Sequence, residues 1–210
     1  MINILAENNY FIVLDKPAGT SAHNEEPSLL TFLKKQNLPA HFVNRLDTET
    51  SGLVMIAQKP DFHEPLRQAL DDGQKIYSAL LRGKMKTLET DWNWALTDKA
   101  EGRQNPQGSS ADRKPCLSHV KVIRQSDYLT EVSVEIATGR QHQIRKHAAL
   151  AKHPIIGDRR YNDAKYNQKI AEIYQDSRMQ LHAKKLIFKF NDTPYDIESS
   201  HFSLDHFFKI

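Results

Sequence analysis

Two rhythms of apolar residues run along this chain, and together they predict most of its elements. Short apolar or alternating runs predict strands. The segment I-N-I-L-A-E-N-N-Y-F-I-V-L-D-K-P-A-G reads as strand, turn, strand, with Asn8-Asn9 at the turn and Lys16-Pro17-Ala18-Gly19 closing the second strand. Leu53-Val54-Met55-Ile56-Ala57, after a Thr-Ser-Gly turn, predicts a buried strand. In Q-K-I-Y-S-A-L-L-R-G-K, Ile76, Ser78 and Leu80 alternate with Tyr77, Ala79 and Leu81. A hairpin follows. Val120, Val122 and Arg124 form one strand; Tyr128, Thr130, Val132, Val134 and Ile136 alternate with Glu131, Ser133 and Glu135 in the other, the pattern of a half-exposed antiparallel strand.

Helical spacing appears elsewhere. Ser28 caps a helix carrying Leu29, Leu30, Phe32 and Leu33, closed by Pro39. Asp61, with Glu64 three residues on, is placed to open a second helix as a capping box, with Leu66, Ala69 and Leu70 inward and Asp71-Asp72-Gly73 at its end. Ile144, Ala148 and Ala151 repeat at helical spacing until Pro154. Asn162 to Tyr174 predicts a surface helix, and His201 to Ile210 a short terminal one behind Ser203. Glu89 to Lys114 is the least regular stretch and reads as a surface insertion. Its Trp92 and Trp94 suit edge packing or, less simply, a stacking platform for bases.

Composition narrows the class. The 210 residues suffice for one domain spanning 1–210, and 39% hydrophobic content with regular periodicity predicts a folded protein. No run reaches the length of a membrane span. The first residues lack a basic segment followed by a long apolar one, so no secretory leader is expected. The single cysteine, Cys116, excludes an internal disulfide framework and a cysteine-based zinc site. These features point to the cytoplasm. The net charge is only +3, but positive clusters recur at Lys34-Lys35, Arg82/Lys84/Lys86, Arg113-Lys114, Arg140/Arg145/Lys146, Arg159-Arg160 and Lys184-Lys185. Such clusters are either solvated faces or contacts to an RNA backbone.

Two stretches carry candidate chemistry. Arg45, Asp47, Thr48, Glu49, Thr50 and Ser51 form a polar loop leading into the buried Leu53–Ala57 run. Its carboxylate, Asp47, either caps backbone N–H groups in the turn or is a reactive group held rigidly and open to a ligand. In T-G-R-Q-H-Q-I-R-K-H, Arg140, His142, Gln143 and Arg145 crowd the start of a helix, against the preference of the macrodipole. His142 and His147 are five residues apart with no third ligand nearby, so a structural or RNA-contacting role outweighs metal binding.

The phrase N-R-L-D-T-E-T-S-G-L resembles the signature of the RluA-type pseudouridine synthases, whose Asp isomerises uridine in RNA; Asp47 takes that place. L-D-K-P-A-G is close to the same family's opening motif. K-I-Y-S-A resembles its second, in which the Tyr lies against the target base and is a candidate for proton transfer; this is Tyr77. G-R-Q-H-Q-I-R-K-H resembles its third, and Arg145 corresponds to the Arg that pairs with the catalytic Asp. H-P-I-I-G-D-R-R-Y and L-H-A-K-K-L-I-F-K-F resemble two further motifs, with Asp158 in a structural place. One departure is Asn44, where the family usually has His.

The resemblance runs from Lys16 to Phe190. It implies an α+β fold with a large mixed, mostly antiparallel sheet flanked by helices. It implies isomerisation of specific uridines in rRNA or tRNA, with Asp47, Tyr77 and Arg145 catalytic. Arg45, Thr50, Arg140, His142, Gln143 and Lys146 would contact substrate. No cofactor and no metal is expected, because the reaction exchanges no electrons. RNA is the expected partner, held by the catalytic domain without an S4 domain; no membrane, no obligate protein partner and a monomeric state are expected. Two rivals stand beside this reading: a non-catalytic RNA-binding protein on the same fold, and an aspartate-nucleophile hydrolase of another class. The second lacks a well-placed partner acid, since Glu49 lies in the same loop as Asp47.

Overall fold

The computed structural model describes residues 2–23 and 25–209. In chain order its elements are β1 (Asn3–Glu7), β2 (Phe11–Lys16), α1 (Leu29–Lys35), β3 (His41–Phe42), β4 (Ser51–Ala57), α2 (Pro60–Asp72), β5 (Gln74–Arg82), β6 (Glu89–Trp92), β7 (Ser118–Gln125), β8 (Leu129–Ile136), α3 (Gln143–Leu150), α4 (Ala164–Tyr174), β9 (Leu181–Phe190) and β10 (Thr193–Glu198). The chain is α+β, with strand pairing that is mixed and mostly antiparallel. It divides into two compact units: residues up to Lys75 with His182–Phe202, and Ile76–Leu181 with the residues from Ser203 on.

In the first unit β2 lies between β1 and β4, antiparallel to both, its register running from Phe11 opposite Ala57 to Lys16 opposite Gly52. β4 then meets β9 in parallel at Ser51–His182 and Gly52–Ala183, and β10 folds back on β9. β2 is buried along its whole length, as an apolar run without alternation predicts. Phe11, Val13, Leu53, Met55, Leu66, Leu70, Leu186 and Phe188 share one apolar cluster. Each such side chain contributes about 1.5–3 kcal/mol on burial.

In the second unit the strands follow the order β5-β8-β7-β6. β8 alternates as predicted, with Thr130, Val132, Val134 and Ile136 buried and Glu131, Ser133 and Glu135 half-buried. Its inward residues join Ala79, Leu81, Val120, Ile144 and Ala148 in a second cluster, against which α3 packs.

Four expectations are corrected. Asp61 does not cap α2: the helix starts at Pro60 behind Lys59, without a side-chain cap, and Glu64 pairs with Arg67 instead. Proline's preset φ suits a first helical turn and explains the shift. Tyr128 falls in the hairpin turn, exposed, because Ser126 Oγ accepts from the Tyr128 and Leu129 amides. The terminal segment forms one short helical turn, Asp205–Phe207, held by Ser203 Oγ; the predicted end at Ile210 lies outside the described residues. Finally, Glu89 to Lys114 is no simple surface insertion. It supplies β6, and Trp92 is a core residue at 3% exposure, while Trp94 packs edge-on against His147 at 37%.

Candidate active site

Asp47 sits half-buried in a tight turn whose closure is local: the Thr50 amide donates to the Asp47 carbonyl at 3.1 Å. What fixes the turn to the sheet is a buried cation. Lys16, at the end of β2 and 1% exposed, donates from Nζ to the carbonyls of Thr20 (2.8 Å), Thr48 (3.1 Å) and Pro17 (3.2 Å). The Gly19 amide reaches the same Thr48 carbonyl at 2.8 Å. Burial pulls the Lys16 pKa down to about 8, with the charges of Asp47 and Glu49 opposing the fall. The sequence carried a signal for this role: a lysine just past the apolar run Phe11–Leu14 must find acceptors if the strand is buried to its end.

Asn44 explains how the loop tolerates the departure from the family pattern. Its Oδ1 accepts from the Met55 amide at 2.7 Å and its Nδ2 donates to the Leu53 carbonyl at 3.2 Å. It therefore pairs with β4 as a strand neighbour would. Arg45 is exposed, and Thr50 is buried. Gly52 follows at φ +112°, where an added Cβ would stand 2.3 Å from the Ala183 carbonyl. The Thr-Ser-Gly turn thus needs its glycine because β9 crosses there at backbone contact.

The second unit carries the remaining predicted residues. Tyr77 lies on β5 on the same face as Ala79 and Leu81, half-buried against the second apolar cluster. α3 begins one residue after His142, which takes the left-handed conformation at φ 56° and meets the Tyr161 hydroxyl through Nδ1 at 3.0 Å. Gln143 turns inward. Its Nε2 donates to Leu117 O at 2.9 Å, and its Oε1 accepts from Thr138 Oγ1 at 2.8 Å and the Arg140 amide at 3.2 Å, so the glutamine ties together the turn that precedes α3.

Arg145 is 2% exposed and grips Asp158 with two bonds, Nε to Oδ2 at 2.7 Å and Nη2 to Oδ1 at 3.0 Å. Asp158 Oδ1 also accepts from the Arg160 and Tyr161 amides. Asp158 therefore has the structural place expected of it. Arg140 pairs with Asp98 at 3.1 Å. Carboxylates beside these two arginines offset the charge crowding at the start of α3.

Lys146 is turned inward, fully buried, with its ammonium on the Thr97 carbonyl at 2.8 Å. That position braces the segment after β6 and withdraws the charge from solvent. His147 is buried likewise, between Ser118 Oγ and the Trp94 carbonyl, both at 2.9 Å, and burial lowers its pKa. His142 and His147 thus have separate partners. Among the described residues no three His, Cys, Asp or Glu side chains are grouped to hold a metal.

Arg45, Asp47 and Thr50 share one loop of the first unit; Tyr77, Arg140, His142, Gln143, Arg145 and Lys146 belong to the second. A clamped carboxylate on one unit, and a buried arginine with an aromatic hydroxyl on the other, are the groups that the motifs lead one to seek. Comparison with known proteins gives them a family. The family model described as RNA pseudouridylate synthase matches residues 10–150, and this chain belongs to that family.

Its curated relatives include ribosomal large subunit pseudouridine synthase C of Salmonella typhi, 34% identical over 197 residues, covering 88% of this chain and 61% of the relative. The protein of the same description from Yersinia pestis is 33% identical over 204 residues, covering 90% and 62%. The chain therefore spans about three-fifths of the length of these relatives. Among solved structures, human RNA pseudouridylate synthase domain containing 1 superposes with a TM-score of 0.77 over 95% of this chain and 83% of its own, at 22% identity. Domain containing 4 gives 0.78 over 94% and 87%, at 19%. The fold class and the family resemblance drawn from the motifs both hold.

Proposed function

We propose that this chain isomerises uridine in RNA to pseudouridine, with Asp47 as the catalytic residue. The observation that carries the reading is the Asp47 turn: a half-buried carboxylate on a loop clamped from beneath by Lys16, inside the region that matches the family. The reaction breaks the bond between C1′ and N1, turns the base, and joins C1′ to C5; C5 loses a proton and N1 gains one, so the product is an isomer of the substrate. No electron changes hands, and the chemistry calls for no cofactor.

Tyr77, which acts against the target base, and Arg145 are the further catalytic residues of this reading. Arg45, Thr50, Arg140, His142 and Gln143 shape the binding surface or its support, and Lys146 contributes by bracing. The names of the relatives favour ribosomal RNA as the substrate over tRNA. Such a substrate implies work in the cytoplasm, where ribosomes are assembled. Among the described residues no helix is long and apolar enough to cross a membrane. The protein works as a monomer, and the target uridine leaves its stack to reach the carboxylate.

The test is Asp47→Asn, which keeps shape and removes charge. Tritium release from uridine-labelled RNA should vanish while RNA affinity stays within a few-fold, because phosphate contacts dominate affinity. Substantial turnover in that variant would overturn the reading. Affinity should also fall with salt by about 0.7–0.9 log units per phosphate contact for each log unit of salt. A flat response would remove Arg140 and Arg159 from the RNA path.

A further inference from the structure

We infer that His182 is a positioning residue for the Asp47 loop, acting through its hydrogen bond to Ser51. The inference rests on the reading of Asp47 as catalytic. His182 stands near the start of β9 and is buried, its ring stacked on Phe202 at 4.6 Å between centroids and 2° between planes. Its Nδ1 lies 2.9 Å from Ser51 Oγ. Ser51 and His182 are also opposite each other in the parallel pairing of β4 and β9. In the next pair, Gly52 meets Ala183 at backbone contact, which leaves the junction no slack.

Ser51 follows Thr50, whose amide closes the turn on the Asp47 carbonyl. A restraint on Ser51 therefore reaches Asp47 through one peptide and one hydrogen bond. Lys16 holds the loop at Thr48, and His182 holds its exit at Ser51.

The ring must be neutral to serve. Nε2 has no hydrogen-bond partner among the described residues, so a second N–H there would be buried without an acceptor. Burial brings the His182 pKa down to about 4; Asp15 on β2 opposes this, while Lys184 on the same strand and His201 add to it. Asp15 is engaged elsewhere, accepting from Ser199 Oγ at 2.6 Å and facing His201 Nδ1 at 3.2 Å. A core histidine with a merely space-filling role would not need the bond to Ser51, and this separates the two roles.

The full chain is assayed for single-turnover rate and RNA affinity as Ser51→Ala, His182→Asn and His182→Gln. Asparagine can place an amide group where Nδ1 sits, whereas glutamine reaches only to the place of Nε2. Ser51→Ala and His182→Gln should each lose about ten- to a hundredfold in rate with affinity unchanged, the scale of a small misplacement at a reacting centre. His182→Asn should stay within a few-fold of the parent, and the double variant Ser51→Ala/His182→Gln should be no slower than either single one. As pH falls towards 4 the parent should slow more steeply than His182→Asn, which keeps only the loss due to the catalytic carboxylate. Parent-like rates in both Ser51→Ala and His182→Gln would overturn the inference, as would equal losses in all three variants. Asp47→Asn in the same assay tells the two failures apart: if it is dead while Ser51→Ala is parent-like, only the His182 inference falls; if it is active, both fall.

Discussion

Lys16 in the first unit and Arg145 in the second are both cations taken out of water, and the two are compensated differently. Lys16 is met by three neutral carbonyl oxygens, Arg145 by a carboxylate gripped at two points. Carbonyls replace only part of the lost hydration, which is why the Lys16 pKa drops to about 8 despite Asp47 and Glu49 nearby. An arginine cannot shed its proton, so it needs a full counter-charge. The lysine gathers backbone from Pro17, Thr20 and Thr48 and so shapes a loop. The arginine is a fixed charge with a fixed direction. One cation organises the main chain around the candidate carboxylate; the other is a candidate functional group whose direction Asp158 sets.

Breaking the second arrangement should have the largest effect. Asp158→Asn takes from buried Arg145 the carboxylate charge that it grips at two points and should remove about 3–5 kcal/mol of stability. Urea unfolding measures it, and a loss under 1 kcal/mol, the scale of an exposed pair, would show that solvent reaches the pair.

The Lys16 arrangement should answer to pH instead. With its folded pKa near 8 and its ordinary value 10.5, the unfolded chain holds a proton between these values that the folded chain has lost. Stability relative to Lys16→Met should therefore rise from pH 8 to 10.5, by about 1.4 kcal/mol per unit at most and about 3 kcal/mol in all. Parallel stability curves for parent and variant would mean that Lys16 stays hydrated. Turnover should move the other way, falling above pH 8 as the ammonium releases the Thr48 carbonyl.

The smallest effect concerns the neutral support of the same loop. Asn44→Ala frees the Met55 amide and the Leu53 carbonyl and should cost about 1–2 kcal/mol. Asn44→His can satisfy at most one of the two groups through a single ring nitrogen, so a melting temperature between those of parent and Asn44→Ala is expected.

The sequence by itself determined a good deal. Apolar periodicity located β2, β4, β5, β7 and β8 and the helices α1, α3 and α4, because burying one face requires it. Ser28 caps α1 as read, its Oγ accepting from the Thr31 amide, because an N-cap bond spans only three residues. The motifs around Asp47, Tyr77 and Arg145 were legible as short strings, which is enough to define the family. Only the tertiary structure decided what the charged residues do. Lys146 looked like an RNA contact and proved to be buried on the Thr97 carbonyl, 49 residues away in the chain. Lys16 was read as closing a strand and His182 as part of a closing strand motif; folding puts Lys16 on the Thr48 carbonyl and His182 on the Ser51 hydroxyl. Local patterns report which face of an element is apolar. The partner of a buried charge or ring nitrogen comes from a distant stretch, and only folding brings the two within hydrogen-bond reach.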